Sequence, residues 1–138
     1  MKFFIHADGG SRGNPGPAGA GAMIRDERGN SVASVSQFIG TRTNNYAEYE
    51  AVILGFETLA KLVKDNIAET EVIVKMDSEL VVKQMKGIYK VKHPVLKEQC
   101  ARLKKVIAPF GTVSFTNVPR EENSDADALA NEAMDRGS

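Results

Sequence analysis

One cysteine, Cys100, stands among 138 residues. An internal disulfide is therefore excluded, and a small buried hydrophobe on a helix is the expected role of that thiol. No apolar run approaches the roughly 20 residues of a membrane span. The apolar start, MKFFIHADGG, is too short for a signal peptide and reads as a strand. Together these features predict a reducing, cytoplasmic setting and no membrane. There are only two histidines. His6 lies inside the first strand and reads as structural; His93 precedes a proline and reads as exposed. Neither makes a recognisable triad with a serine, and no Cys/His cluster of zinc-binding type exists. The glycine-rich stretch lacks G-K-[ST], so it is not a P-loop. It also leads into a strand rather than a helix, so it is not a dinucleotide fingerprint. Formal net charge is zero, which argues against a generic polyanion binder.

What the chain has is the makings of one ordinary globular domain, residues 1–138, with 42% hydrophobic and 26% charged residues. Residues 2–7, KFFIHA, form an apolar, β-prone run that stops at Asp8-Gly9-Gly10. A Gly/Pro loop, SRGNPGPAGAG, follows. Ala20–Arg25 reads as a second strand, residues 26–30 (DERGN) as a hairpin turn and Ser31–Ile39 as a third strand. Asn44 to about Lys64 carries the longest helical pattern. A strand at Glu71–Met76 and a short helix at Asp77–Met85 come next. His93-Pro94 opens another helix, running to about Ile107. Thr112–Thr116 is a fifth strand and Ser124–Met134 a last helix. The order βββαβααβα predicts an α/β domain with a mixed five-stranded sheet flanked by helices. Charge is uneven along it. Lys83–Lys105 holds Lys83, Lys86, Lys90, Lys92, Lys97, Arg102, Lys104 and Lys105 against Glu98 alone, so this segment is +7 and the remainder −7. A solvated helix face is the ordinary reading; beside an acidic cluster the alternative is a face that holds phosphates.

Four carboxylates stand where a solvated acid is not expected. Asp8 ends the first strand and Asp77 the fourth, and in open α/β sheets ligands gather beyond the carboxyl ends of strands. If those strands are parallel neighbours, the two acids meet. The ordinary alternative is a turn or cap, with Asp77 capping the helix after it. On the long helix Glu50, Glu57, Lys61 and Lys64 share a face expected to be wet, with Glu57 and Lys61 a favourable i,i+4 pair. Glu48 instead lines up with Val52, Gly55, Leu59 and Leu62, a core-facing stripe. A lone buried carboxylate costs several kcal/mol unless paired or metal-bound. Its alternative is escape to solvent from the first turn, favoured by the helix dipole. In the last helix Ser124 and Asp127 make an S-x-x-D pattern close to a capping box. Asp125 is a rival two residues away, and periodicity does not choose between them. Such acids in a chain of zero net charge point to a site for divalent metal and phosphate.

The segments DGGSRGNPGPAGAG, TNNYAEYEAV, MDSELVVKQMKGIYKVKHP and VPREENSDADALAN follow one another as in ribonuclease H type 1, and the chain resembles that family over nearly its whole length. The resemblance implies the mixed-sheet ribonuclease H fold. It also implies Mg²⁺- or Mn²⁺-dependent endonucleolytic cleavage of the RNA strand of an RNA–DNA hybrid. By motif, Asp8, Glu48, Asp77 and Asp127 match the catalytic, metal-binding acids, which favours Asp127 over Asp125. Thr43, Asn44 and Asn45 match the segment that grips the DNA backbone. Gly9, Gly10, Ser11 and Asn14 match the loop beside the RNA strand and its 2′-hydroxyls.

On that implied chemistry two ions, roughly 3.5–4 Å apart, activate water and stabilise the leaving oxygen. Asp8 is expected to bridge them, Glu48 and Asp77 to hold the ion at the leaving 3′ oxygen, and Asp127 the ion at the water. Products then carry 5′-phosphate and 3′-hydroxyl ends. Two departures from the family stand out. Asn117-Val118-Pro119-Arg120 has no histidine where many members carry one, and Arg120 is expected to take part of that role. The basic protrusion of some bacterial members is replaced by the short link 87–93. No aromatic stacking platform is visible, so base-sequence readout is not expected. A monomer is expected. Within the same fold, the alternatives are a hybrid-binding module without catalysis and a metal-dependent DNA nuclease. The full set of acids argues against the first; the glycine loop and the asparagine pair argue against the second.

Overall fold

A computed structural model describes residues 1–138. The strands are β1 (Lys2–Ser11), β2 (Gly16–Asp26), β3 (Ser31–Arg42), β4 (Glu71–Met76) and β5 (Thr112–Asn117). The helices are α1 (Asn44–Val63), α2 (Glu79–Met85), α3 (Pro94–Ile107) and α4 (Ser124–Arg136). They follow the expected order, with short 3-10 turns at Lys64–Glu69 and Arg120–Asn123. The sheet order is β3-β2-β1-β4-β5. β1 to β3 form an antiparallel meander, while β4 runs parallel to both β1 and β5. The sheet is therefore mixed, and β1 sits at its centre.

Strand periodicity sets the faces. Ile5 and Ala7 of β1 and Val72, Val74 and Met76 of β4 are buried in one core with Val52, Ile53, Phe56 and Leu59 of α1. Phe110 closes its lower end, edge-to-face on Phe56 at 5.2 Å. α2 and α3 pack beside α1, whereas α4 lies over β1, β2 and β3. It comes close because β2 carries glycine under it: a Cβ on Gly21 would overlap the Ala126 carbonyl. No helix is long and apolar enough to cross a membrane.

Local chemistry sets most boundaries. Thr43 caps α1, its Oγ1 accepting from the Tyr46 N–H at 3.2 Å. His93 caps α3 through Nδ1, ahead of Pro94 in the first turn. In the β2–β3 turn, Asp26 Oδ1 accepts from the N–H groups of Arg28 and Asn30, both at 2.9 Å. α4 ends at Gly137 in the left-handed region, φ 64°.

Three expectations are corrected. β1 does not stop at Asp8 but runs on to Ser11, and β2 begins at Gly16. The stretch read as a Gly/Pro loop is largely a ladder of small residues, Gly9 opposite Ala20, Gly10 opposite Gly19 and Ser11 opposite Ala18. Pairing between distant residues overrides the low strand propensity of glycine there. On α1, Glu57, Lys61 and Lys64 are exposed as expected, but Glu50 is buried at 9% exposure because α3 covers that end of the face; Leu62, expected in the core, is 50% exposed. Asp77 does not cap α2, since Ser78 does, accepting from the Val81 N–H.

Candidate active site

The parallel register pairs His6 of β1 with Lys75 of β4. Continued two residues, it sets Asp8 level with Asp77 on the same face, so strand geometry alone brings these two acids together. Glu48 arrives from the first turns of α1. It comes close because Gly9 has no side chain: a Cβ there would overlap the carbonyl group of Ala47 and crowd the Glu48 nitrogen. Asp127 arrives from α4. Asp8 is paired with Gly21 in the sheet, and Gly21 lies directly under Ala126. Four segments far apart in sequence thus deliver one acid each.

Electrostatics record their proximity. The Asp8 carboxyl is pushed up to about 8, first by burial, then by the charge of Asp77, a hydrogen bond with Asp127, and the charges of Asp127 and Glu48. Glu48 is pushed up to about 7, again mainly by burial; a hydrogen bond from Ser78 lowers it and the charge of Asp77 raises it. Asp77 accepts from Asn123 Nδ2 at 3.2 Å, and that same nitrogen donates to the Ala7 carbonyl at 2.8 Å. Asn123 is 1% exposed, and its Oδ1 is buried without a partner. His6 lies beside it, held below its ordinary pKa by burial first, then by Lys75 and Arg25. Asp127 faces Arg120 across a long 3.5 Å contact. Asp125 points elsewhere and forms an ion pair with Arg25.

Hard carboxylate oxygens crowded around Asp8 and Glu48, whose protons they help retain, are a negatively charged donor set, which fits divalent magnesium or manganese. No three of the acids close to the spacing of a formed metal site in this structure. Their coupling is through-space repulsion, felt by Asp8 from all three others.

Ser11, Asn14 and Asn44, named from the sequence as candidates for substrate contact, form a second, hydrogen-bonded group. Asn44 Oδ1 accepts from Ser11 N at 2.7 Å and from Ser11 Oγ at 3.1 Å. The Asn44 N–H donates to Asn14 Oδ1 at 3.1 Å. This ties the β1–β2 loop to the start of α1. A hollow of about 360 Å³ opens next to it, lined by Asn14, Thr43 and Asn45 together with Arg42, Tyr46, His93 and the start of α3. The Arg42 guanidinium stacks 4.4 Å over the Tyr46 ring. Gly9 and Gly10 belong to β1 rather than to a loop. Gly9 serves α1 packing, while Gly10 lies near Asn44 Oδ1 and Met134. Arg120 is exposed, its side chain at 76%. Sequence reasoning missed Asn123, Ser78, Arg42 and Tyr46. Ser78 carried a signal, a serine just before a helix; Asn123 carried none.

A mixed five-stranded sheet with acids gathered at its centre defines a class, and the chain matches the family model described as "Reverse transcriptase-like" over residues 6–133. LC11-RNase H1, isolated from compost, superposes with a TM-score of 0.92 at 49% identity, over 98% of this chain and 96% of that one. It has also been solved in complex with an RNA/DNA hybrid. The N-terminal RNase H domain of a Mycobacterium tuberculosis protein superposes with a TM-score of 0.90 at 44% identity, over 97% of this chain and 99% of that domain. Ribonuclease HI of Halobacterium salinarum is 42% identical over 95% of this chain and 64% of its own length. The chain belongs to the ribonuclease H type 1 family. It spans about a third, 36%, of the full mycobacterial relatives.

Proposed function

We propose that this chain is an endonuclease that hydrolyses the RNA strand of RNA–DNA hybrids, leaving 5′-phosphate and 3′-hydroxyl ends. The observation that carries the reading is Asp8, a carboxyl driven up to about 8 by burial and three neighbouring acids. It lies in a chain 48% identical to a ribonuclease H solved with an RNA/DNA hybrid.

Asp8, Glu48, Asp77 and Asp127 would hold two divalent cations, magnesium or, as a substitute, manganese. Once bound, such cations neutralise the cluster, activate water and stabilise the leaving oxygen. The remaining work belongs to the chain's own groups. Asn123 fixes the Asp77 carboxylate against the β1 backbone. Ser78, at the cap of α2, lies beside Glu48 and favours its charged form. Arg120 presents a cation beside Asp127, where many family members carry a histidine.

Telling RNA from DNA requires reading the 2′-hydroxyl, which both donates and accepts. Ser11 and Asn14, linked through Asn44, offer such groups next to the acids, and Gly9 and Gly10 keep that strand end slim. Thr43, Asn44 and Asn45 grip the DNA strand along the adjoining hollow, where Arg42 supplies positive charge. The enzyme acts as a monomer in the cytoplasm, a setting that suits a single buried, unpaired Cys100.

The test uses labelled RNA–DNA hybrid, duplex DNA and duplex RNA with Mg²⁺ or Mn²⁺, and Asp8→Asn as control. Cutting of the RNA strand of the hybrid alone, abolished by the substitution, is expected. Binding without cutting would leave a hybrid-binding module, and equal cutting of duplex DNA would make this a DNA nuclease.

A further inference from the structure

One polar cluster with two buried members lies outside the acids, closed on its outer side by the half-exposed Arg102. Glu50 of α1 is 9% exposed and Gln99 of α3 is 1% exposed. Arg102 Nη1 donates to Glu50 Oε1 at 2.7 Å and to Gln99 Oε1 at 2.5 Å, and its Nη2 reaches Glu50 Oε2 at 3.4 Å. Gln99 Nε2 donates to Glu50 Oε1 at 2.9 Å and to the Tyr46 carbonyl at 3.3 Å. Both ends of Gln99 are therefore used, and both carboxylate oxygens of Glu50 are paired.

The position of this cluster is what gives it meaning. Glu50 lies four residues, one helical turn, below Tyr46; Gln99 lies one turn below Val95. Tyr46 and Val95 are on opposite walls of the 360 Å³ hollow, one from α1 and one from α3. The cluster thus links α1 to α3 one turn beyond the hollow, without lining it. Only the Glu50 end of the pair is buried, and the Arg102 side chain is 46% exposed, so the pair itself adds little to stability. A fully paired fork does fix distance and direction between the helices that carry it.

We infer that Glu50, Gln99 and Arg102 are positioning residues: they set the width of the groove between α1 and α3, so that Arg42, Thr43 and Asn45 meet the sugar-phosphate backbone of the DNA strand in register. This rests on the proposed hybrid substrate. It adds a determinant of substrate grip that touches neither the substrate nor the acids.

The kinetics separate this role from mere stapling. Arg102→Lys keeps the charge and the fold but lacks the planar fork that holds both carboxylate oxygens of Glu50, Oε1 through Nη1 and Oε2 through Nη2. It is expected to raise KM for a hybrid about fivefold while kcat at saturation stays within about twofold of wild type. The double variant Glu50→Met, Arg102→Met replaces the pair with apolar packing. Its melting temperature is expected close to that of wild type, with the KM defect retained. A wild-type KM in Arg102→Lys overturns the inference. So does a loss in kcat alone, or a double variant whose KM recovers along with its melting temperature. Should wild type leave hybrids uncut, the proposed function fails instead, which is a separate result.

Discussion

Asp8 shows how one residue is tuned in this fold, by its burial first and by the charges of its neighbours second. In the folded chain its carboxyl holds a proton up to about pH 8, against an ordinary value of 3.8. Between those values the folded state binds more proton than the unfolded chain, so stability falls as pH rises. The contribution is complete below about pH 4 and gone above about pH 8. Glu48, raised to about 7, adds in the same direction. Melting temperature in a chelator is therefore expected to fall from pH 5 to pH 8. Asp8→Asn should flatten that fall, and Mg²⁺ should reverse it at pH 8 in wild type; a midpoint that climbs through this window would contradict the account. A second pair of residues separates two adjacent acids. Asp125→Ala removes a largely exposed pair with Arg25, worth about 0–1 kcal/mol, and should leave cleavage intact. Asp127→Ala removes a group coupled to Asp8 and should lower kcat by more than about tenfold. Glu48 stood out in the sequence because it breaks a local pattern, an acid on an apolar stripe, whereas Asp8 and Asp77 read equally well as turn or cap residues until the family motifs were recognised. Glu50 was misread for a reason no helical wheel can repair: the arrival of α3, fifty residues later in the chain, turns a solvent face into an interface.

At the scale of elements, caps are readable and pairings are not. Thr43, His93-Pro94 and Gly137 satisfy or end a helix through residues close by, so the starts of α1 and α3 fall where the sequence places them. β1 and β2 extend through glycine because each finds the other across the sheet, and local propensity contains no trace of that partner. The contact of β1 with α1 has a direct test. Gly9→Ala drives a methyl into the backbone of Ala47 and should destabilise by about 1–3 kcal/mol. It should also lower kcat, because α1 retreats with Glu48 attached. Gly10→Ala meets only ordinary contacts, with Met134 Cε at 3.7 Å and Asn44 Oδ1 at 3.9 Å, and should fold like wild type. Equal melting temperatures for the two variants would show that this approach does not constrain the helix.

At the scale of the whole molecule, the chain is neutral overall yet sorted, with acids at the centre of the sheet and lysines along α3 and the link before it. Asp8, Glu48, Asp77 and Asp127 meet only once β4 has paired beside β1 and α4 has docked across β2. Recovery of cleavage on refolding should therefore coincide with recovery of tertiary structure, measured by near-ultraviolet circular dichroism, and an active species ahead of that signal would refute it. Removal of everything beyond Asn117 should leave an inert protein for the same reason. The docking of α4 onto Gly21 has a further effect during synthesis. Asp127 leaves the ribosome after every strand has been made, so the four acids cannot gather until α4 settles across the sheet.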